Sequence, residues 1–503
     1  MNFNLKTSTT VLVAVIVFAL TFNCKKRKLR MRVEDSNYPT EIGNIIVAKC
    51  ATSGCHTTAS KDAAAGLGLE TWTELFEGGR GGATITPYQP EFSTLFLYCN
   101  TYKELGQTSL PTMPINATPL NPAEVITLKN WITNGAPNAN GTIMWDDRSN
   151  RRKFYVTNQA CDLVSVFDAT TQLLIKNVFV GNDASRSEGP HQVRVSHDNK
   201  YWYVLFVNGD YFEKYDAQTD KLIARVNIGN SGPAIGAGIA NGSWNTMVIT
   251  NNDKYALLTD FSGGKVLAVD LATMSKKKTF EQSGAPLFSF PHGITITPDG
   301  DTCLVATQAG NSYYQFLMTD IESKFINVQP MATPFTGISN SAGPHDILYS
   351  NDGSKLFVTC QNTNEIAVYE TATLRFIKSI ATKKFPQELA ISKNKNLLLV
   401  TCSEDESFLP QAKGCVQIIN IITLNVVATI PCSIQPHGIA VDEINNLAYV
   451  TNRNIDAKGI APHHVSYCGG KNGSLSVINL NTLTKLSKTT ELSVDPYFVA
   501  IKY

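Results

Sequence analysis

Three side chains that can hold a metal or a covalent cofactor lie close together near the start of the chain. They are Cys50, Cys55 and His56, within the stretch KCATSGCHT. The usual signature for covalent haem has two cysteines separated by two residues, with a histidine directly after the second. Here four residues separate the cysteines. These residue types allow three interpretations: haem attachment, zinc binding, or a disulfide between the two cysteines.

A covalently bound haem needs two thiols, an imidazole on one side of the iron and a second ligand on the other. Cys50 and Cys55 would form the thioether bonds, and His56 would be the proximal ligand. Met113, in PTMP, would be the distal ligand, whose sulfur raises the reduction potential. Structural zinc takes four ligands, and this stretch offers three, with Cys99 distant in sequence. The residues therefore favour haem c, and zinc and a disulfide remain alternatives.

Two helices are predicted around this stretch. TEIGNIIVAKC, which ends at Cys50, has isoleucines at the spacing of one helical face. NPAEVITLKNWITNG starts with Asn121 as the N-cap, has a proline in its first turn, and ends at Gly135. A long irregular stretch rich in Gly, Pro and Thr lies between them. We therefore predict a small all-α domain over residues 36–142.

This segment resembles the c-type cytochrome domain found in exported bacterial multidomain proteins. The resemblance rests on TEIGNIIVAKCATSGCH, GLGLETW, ELFEGG, PTMP and LKNWITNGAPN, which occur in that order. It implies that Cys50 and Cys55 attach a haem c, and that His56 and Met113 are the ligands of its iron. Some members of that group also have the four-residue gap, which departs from the usual motif.

The remainder of the chain is a repeat. Each unit begins with alternating apolar residues, turns at a polar stretch such as PDG or NDG, and continues through further strand-like segments. Four short antiparallel strands at this period predict a propeller blade, and seven units predict a seven-bladed ring. The units begin GPHQVRVSHDNKYWYVLF, SWNTMVITNNDKYALLTD, FPHGITITPDGDTCLVAT, GPHDILYSNDGSKLFVTC, FPQELAISKNKNLLLVTC, QPHGIAVDEINNLAYVTN and DPYFVAIKY.

The two ends of the repeat complement each other. The last unit has only a first strand, PYFVAIKY, whereas KFYVTNQ, DLVSVFDA and LLIKNVFVG at the beginning lack one. Their pairing would complete a seventh blade and leave no exposed sheet edge. YVTN, at 155–158 and again at 449–452, resembles the signature of the YVTN family of β-propellers, which implies a fold but no function. The predicted fold class is a small all-α cytochrome c-like domain followed by an all-β seven-bladed propeller closed by its terminal strands.

Histidine recurs at one position of the first strand. Because first strands line the central channel of a propeller, these imidazoles are predicted to converge, where they could bind copper, zinc or iron. Some seven-bladed reductases that resemble this architecture use such rings as metal sites. A structural role, with each imidazole bonded to a neighbouring backbone group, or the binding of a small ligand is the preferred interpretation, and a second metal is the alternative. The four residues are His191, His292, His345 and His437, and Asn245, Gln387 and Tyr497 take this position in the other units.

A further cluster of candidate ligands lies near the end of the chain. His463 and His464 precede Cys468 in APHHVSYCGG. We interpret this stretch as a solvated loop, with a metal site as the alternative.

The N-terminus has the pattern of an export signal. Lys6 precedes the apolar run VLVAVIVFAL, which is too short to span a bilayer and is typical of a secretory signal. Cys24 would allow attachment of lipid, and hence membrane attachment, although the preceding residues match a lipoprotein site poorly. The cations of KKRKLRMR oppose export, because such residues tend to stay on the cytoplasmic side. We nevertheless predict export to the periplasm or cell envelope.

Cysteine usage favours the same compartment. Of 11 cysteines, setting aside Cys24, Cys50 and Cys55 leaves 11 − 3 = 8, a number compatible with disulfides. Cys402 and Cys415, at the mouth of one predicted hairpin, are the best candidates for a disulfide, and burial as small apolar side chains is the alternative.

These observations predict an exported monohaem c-type cytochrome that transfers electrons, with the propeller as a docking or ligand-binding platform. An oxidoreductase with a metal or cofactor in the histidine-lined channel, and a surface-binding scaffold, are the alternatives. The expected partner is a redox protein or a small-molecule electron donor or acceptor. Nucleic acid is not expected, because 43 Lys+Arg balance 42 Asp+Glu. The predicted organisation is a signal peptide (1–24), a basic linker (25–35), a haem domain (36–142), a linker (143–152) and the propeller (153–503).

Overall fold

Short strands make up most of the regular structure. The computed structural model describes residues 31–229, 244–283, 286–324, 330–408, 413–456 and 468–503. Within these ranges no helix is long and apolar enough to cross a bilayer. The helices are α1 (Thr40–Lys49), α2 (Trp72–Glu77), α3 (Thr94–Cys99) and α4 (Pro122–Thr133), with 3-10 turns at Val33–Asp35, Pro90–Phe92, Lys103–Leu105, Gln159–Cys161 and Met318–Ile321.

The strands form seven four-stranded antiparallel sheets, so the predicted seven-bladed propeller is confirmed. In the first three blades the strands follow one another in chain order from the axis outward. Blade one has β4 (Pro190–Val195), β5 (Tyr201–Phe206), β6 (Tyr211–Asp216) and β7 (Leu222–Asn227); blade two has β8 (Trp244–Ile249), β9 (Tyr255–Asp260), β10 (Lys265–Asp270) and β11 (Ser275–Phe280); blade three has β12 (Pro291–Ile296), β13 (Thr302–Thr307), β14 (Ser312–Leu317) and β15 (Thr333–Pro334).

The next three blades repeat this order. Blade four has β16 (Pro344–Tyr349), β17 (Lys355–Cys360), β18 (Glu365–Glu370) and β19 (Phe376–Ala381); blade five has β20 (Pro386–Ser392), β21 (Leu397–Cys402), β22 (Cys415–Asn420) and β23 (Asn425–Pro431); blade six has β24 (Pro436–Asp442), β25 (Leu447–Asn452), β26 (Ser474–Asn479) and β27 (Thr484–Glu491).

Blade seven joins the two ends of the repeat, as the sequence predicted. Its order is β28 (Pro496–Lys502), β1 (Lys153–Asn158), β2 (Leu163–Asp168) and β3 (Leu173–Phe179). The last strand pairs antiparallel with the first, for example Val499 with Val156. Every inner strand therefore has a neighbour on both sides of the ring, and the ring has no open seam.

The hydrophobic core is divided into layers between neighbouring blades. Successive side chains of a strand point to opposite faces, so Phe154 packs towards blade six with Tyr449, while Tyr155 packs towards blade one with Trp202. Equivalent clusters fill the other five gaps between blades. This explains why the second strands read as continuous apolar runs: both of their faces are buried.

The threonine of YVTN connects neighbouring blades at the axis. Thr451 Oγ1 accepts a hydrogen bond from the backbone N–H of Gly438 (2.9 Å) in its own blade and donates one to the carbonyl of Tyr497 (2.9 Å) in the next. The motif therefore holds the inner strands in place around the channel. Equivalent pairs of bonds, up to 3.5 Å long, are made by Thr157, Thr259, Thr359 and Thr401.

Replacement of this hydroxyl by a methyl group is expected to weaken the ring. Thr451→Val keeps the shape of the side chain but leaves buried backbone groups of Gly438 and Tyr497 without this partner, which should cost about 1–3 kcal/mol of unfolding free energy. Urea unfolding of the full chain measures the change. Thr482→Val, at an exposed position, is the matched control and should be near neutral. Equal stability of the two variants would contradict the proposed role.

The segment before the propeller differs from the predicted fold class. Both helices predicted from the sequence are present, and Asn121 caps α4 through a reciprocal pair of bonds with Glu124. However, the four α-helices contain only 10, 6, 6 and 12 residues, and irregular chain rich in Gly and Pro joins them. Proline lacks the N–H that a helix interior needs. The prediction of an all-α cytochrome c-like domain was therefore wrong: the described chain is nearly all β, without a distinct all-α domain.

This N-terminal segment packs on the outer strand of blade seven. The side-chain amide of Gln89 donates to the carbonyl of Asn177 (2.9 Å) and accepts from its N–H (2.8 Å), as a neighbouring strand would. Phe92 contacts Phe179 beside this pair, with 6.2 Å between ring centroids. The segment nevertheless has its own apolar cluster, in which Trp72 packs with residues of α1 and α4.

The disulfide differs from the predicted pair. Cys161, in the 3-10 turn between β1 and β2, is bonded to Cys468 in the long connection of blade six. Cys402 and Cys415 lie opposite each other on β21 and β22, yet both thiols are free and buried. The predicted Cys402–Cys415 disulfide was therefore wrong, because these side chains serve as small apolar groups in the layer between blades four and five.

Loss of the observed disulfide is expected to destabilise the propeller. It crosslinks residues 307 positions apart in sequence, so the Cys161→Ser/Cys468→Ser variant should lose about 2–4 kcal/mol. Urea unfolding of oxidised protein measures this loss. Reductant should lower the stability of the parent protein to that of the variant and leave the variant unchanged. A parent protein insensitive to reductant would contradict the prediction.

Candidate functional site

The inner strands bring the recurring histidine position to the axis. In each of the seven blades, the pairing of the first strand with the second shifts by one residue across this position. Such a bulge leaves one residue unpaired and redirects the side chains beside it. Two successive residues of an inner strand are thereby available to the channel, rather than every second one.

The four predicted histidines form an arc that Tyr497 completes. Ring centroids are 4.0 Å apart for His292 and His345, and 5.6 Å apart for His345 and His437. Tyr497 lies between His437, at 3.8 Å, and His191, at 4.1 Å. The structure therefore brings together side chains that are spread over most of the propeller sequence.

These imidazoles are almost completely buried. Burial lowers the pKa of His292 to about 4 and holds the pKa values of His191, His345 and His437 well below their usual range. They are therefore neutral at physiological pH, which is the form that binds metals. The pKa of Tyr497 is raised because its phenol is buried.

Two kinds of histidine occur in the arc. His292 Nδ1 bonds with the carbonyl of His345 at 2.9 Å, as the structural interpretation predicts. In contrast, His191 Nδ1, His345 Nδ1 and both ring nitrogens of His437 are buried without a hydrogen-bond partner among the described residues. Buried polar atoms are normally paired, so these nitrogens point to an interaction that the described residues do not supply.

Glu388 completes a group that the sequence reasoning missed. It follows Gln387 on β20, and its Oε1 lies 3.9 Å from His345 Nδ1. One ligand atom from each of His345, Glu388 and His437 lies within 4.8 Å of the other two. The sequence signal was an acidic residue just after the recurring position, in PQELAI, directly before the apolar residues Leu389, Ala390 and Ile391 of the same strand.

A second carboxylate and an arginine surround Glu388. The Asp346 and Glu388 side chains are hydrogen-bonded to each other, and burial raises the pKa of Asp346 to about 6. Burial and the neighbouring Asp346 also raise the pKa of Glu388, while the positive charge of Arg194 opposes this. Arg194 itself stacks over Phe498, 4.6 Å from the ring centroid. The channel therefore holds two carboxyl groups in contact, balanced in part by one guanidinium.

A separate ion pair lies beside Tyr497. Arg453 donates two hydrogen bonds to Asp495, at 2.7 and 3.0 Å, and lies over the tyrosine ring at 4.5 Å. Its charge is therefore neutralised by a direct partner.

Three of the four candidate haem residues, Cys50, Cys55 and His56, lie on the loop that follows α1. Cys50 follows α1 and is buried in the cluster of the N-terminal segment, against which Met113 packs. Cys55 and His56 are half-buried, and the N–H of His56 donates to the carbonyl of Cys50 at 3.2 Å, which closes the loop. His56 Nδ1 lies 3.1 Å from the carbonyl of Leu67.

The two cysteines of this loop are not bonded to each other. Cys50, Cys55 and Cys99 are all free thiols, and a hydrogen bond between the Cys50 and Cys99 side chains lowers the pKa of the Cys50 thiol. Within the described ranges, His345, Glu388 and His437 form the one group of three potential metal ligands so close together. The cysteines around His56 do not form another. Cys24, His463 and His464 lie outside the described residues.

Comparison with known proteins supports the propeller. The model of the lactonase family with a seven-bladed β-propeller matches residues 291–408, which include His292, His345 and Glu388. Among curated proteins, none matches this chain.

Two solved structures have a similar fold. A provisionally named 6-phosphogluconolactonase from Bacteroides uniformis is 14% identical, with a TM-score of 0.51, over 70% of this chain and 100% of that chain. Another, from Bacteroides fragilis, is 13% identical, with a TM-score of 0.51, over 70% of this chain and 98% of that chain. At these identities the likeness concerns the fold. The chain thus carries a seven-bladed β-propeller, part of which matches the lactonase family model.

Proposed function

We propose that the N-terminal segment binds one haem c through Cys50 and Cys55, and that the protein transfers single electrons in the cell envelope. His56 and Met113 are the proposed ligands of the iron. The propeller serves as the platform on which a redox partner docks. When bound, a haem c supplies a centre that accepts and releases one electron at a time.

The orientation of His56 is the observation that carries this proposal. A metal-ligating histidine almost always uses its second ring nitrogen to bond a backbone carbonyl, a carboxylate or water, which fixes the tautomer and the direction of the ring. His56 Nδ1 has such a partner in the carbonyl of Leu67. If Nδ1 carries the proton, Nε2 has its lone pair available for iron.

The other residues of the donor set also fit the group. Cys50 and Cys55 are free thiols at the two ends of the loop that the bond from His56 to Cys50 closes. Met113 packs against the cluster that contains Cys50, and its N–H donates to the carbonyl of Tyr98 at 2.9 Å. This bond restrains the backbone at Met113.

Location in the cell envelope is supported by the disulfide. Bonds such as Cys161–Cys468 persist in oxidising compartments and are rare in the cytosol. Haem c is likewise attached to exported proteins outside the cytoplasm, where the two cysteines react as reduced thiols. Export through the N-terminal apolar run remains part of this proposal.

Covalent attachment tests the proposal most directly. The full chain is expressed in a host that exports proteins and attaches haem c, and the denatured chain is analysed by intact mass and for haem that resists acid–acetone extraction. One haem per chain is expected. Cys50→Ser/Cys55→Ser should lose it, whereas Cys360→Ala, a buried free cysteine of blade four, should retain it. A parent chain without bound haem under these conditions would overturn the proposal.

A further inference from the structure

We propose that His345, Glu388 and His437 bind a divalent first-row transition-metal ion at the propeller axis. This site is independent of the haem site proposed above. Its three side chains come from the inner strands of three consecutive blades, β16, β20 and β24.

The spacing of the donor atoms is close to what one ion requires. The three ligand atoms lie within 4.8 Å of one another, and His345 Nδ1 is 3.9 Å from Glu388 Oε1. Zinc binds histidine nitrogen and carboxylate oxygen at about 2.0–2.2 Å, which places neighbouring ligands of a tetrahedral ion roughly 3.4 Å apart. Small side-chain rotations would therefore close the group around an ion, without movement of the strands.

Unpaired buried nitrogens point into the same group. His345 is 3% exposed, Glu388 5% and His437 1%. Nevertheless, His345 Nδ1 and both ring nitrogens of His437 have no hydrogen-bond partner among the described residues. The site could have been filled by apolar side chains, as the layers between the blades are. Its unpaired donors are explained if a metal ion is the missing partner.

The backbone around the ligands is held in place before an ion binds. Thr401 Oγ1 accepts from the N–H of Glu388 (3.1 Å) and donates to the carbonyl of His437 (2.8 Å). One hydroxyl therefore joins two ligand-bearing strands. A site built on strands that are fixed in this way needs little reorganisation to bind.

The donor set and its surroundings select the kind of ion. Two imidazoles and one carboxyl group suit zinc and iron(II), which use this donor set with positions left open for water or substrate. Magnesium and calcium prefer oxygen ligands, and copper(I) prefers sulfur. Arg453 is neutralised by Asp495, and Arg194 interacts electrostatically with the Asp346 and Glu388 carboxyl groups. Both nearby cations therefore have acidic partners.

Metal titration of the full chain tests this site. Chelator-treated protein is titrated with Zn²⁺ by calorimetry and with Co²⁺ by visible absorption, which reports imidazole and carboxylate ligands directly. One tight site per chain is expected, separate from any haem iron. Glu388→Gln and His437→Gln should weaken binding at least about 10- to 100-fold, the loss that follows even from removal of an outer partner.

Matched variants keep the test specific. His191→Gln changes a buried histidine of the same arc that lies outside the group and should bind as the parent does. His463→Ala/His464→Ala tests adventitious binding by the other pair and should also retain the site. The proposal is overturned if the parent binds no stoichiometric Zn²⁺, if Glu388→Gln binds as tightly as the parent, or if the His463/His464 variant loses the site. Thermal unfolding of each variant in chelator verifies that the propeller remains folded.

Discussion

Deletion of residues 494–503 is expected to unfold the propeller, because it removes the inner strand of blade seven. The truncated chain retains β1, β2 and β3, but β1 loses its partner and the ring gains an open seam. Both neighbouring blades are affected. Thr451 and Thr157 lose the bonds that they make to Tyr497 and Phe498.

The magnitude follows from what this strand buries. Tyr497, Phe498 and Val499 are 7, 3 and 2% exposed, and each buried side chain of this size contributes about 1.5–3 kcal/mol. Together they amount to roughly 4.5–9 kcal/mol, which is comparable with the total stability of about 5–15 kcal/mol that is usual for a domain. A propeller without this strand should therefore be largely unfolded at room temperature.

Circular dichroism and thermal unfolding of the truncated chain measure this effect. Removal of Tyr503 alone, which is 46% exposed, is the control and should cost far less. A synthetic peptide with the sequence of residues 494–503 should restore part of the structure by adding the missing strand in trans. A truncated protein that melts like the full chain would show that closure by β28 does not stabilise the ring.

His56→Ala is expected to abolish the low-spin spectrum of the haem protein, because it removes the imidazole that Leu67 orients. Met113→Ala should have a narrower effect. The thioether bonds remain, but the weak band of methionine-ligated iron in the red disappears and the reduction potential falls, since a methionine ligand raises it. The two variants thus separate attachment of the haem from ligation of its iron.

Absorption spectra and redox titration of the purified holoprotein measure both changes. Met144→Ala is a matched control for the methionine, because Met144 also packs partly buried against the cluster of this segment. It should retain the parent spectrum and potential. A parent-like spectrum in either ligand variant would refute the corresponding ligand. These results do not depend on the metal site proposed at His345, Glu388 and His437, which is tested separately with zinc and cobalt.

Much of the propeller was predictable because its blades are local structures. Each of blades one to six is a run of four consecutive strands, so hydrophobic periodicity and the PDG or NDG turns reveal it without knowledge of distant contacts. The incomplete first and last units also predicted how the ring closes. The all-α domain was predicted wrongly because two good helix patterns, which do form α1 and α4, were extended to a segment that is mostly irregular.

The packing of the blades against one another also decided which cysteines form a disulfide. The hairpin position of Cys402 and Cys415 satisfied a local argument for a disulfide, but both side chains are buried between blades. Cys161 reaches Cys468 across a separation of 307 residues. That proximity exists only because the last strand returns to blade seven and brings the two ends of the repeat together.

The sequence by itself determined the number of blades, the strand that closes the ring, and the histidines that share one position in the repeat. It also supplied the residue types from which haem attachment is proposed. Only the tertiary structure decided which side chains come together at the propeller axis. His345, Glu388 and His437 belong to different blades, and a bulge in each inner strand redirects the residue after the repeat position. Closure of a ring converts equivalent positions in sequence into neighbours in space, and no local pattern specifies which of them approach within reach of one ion.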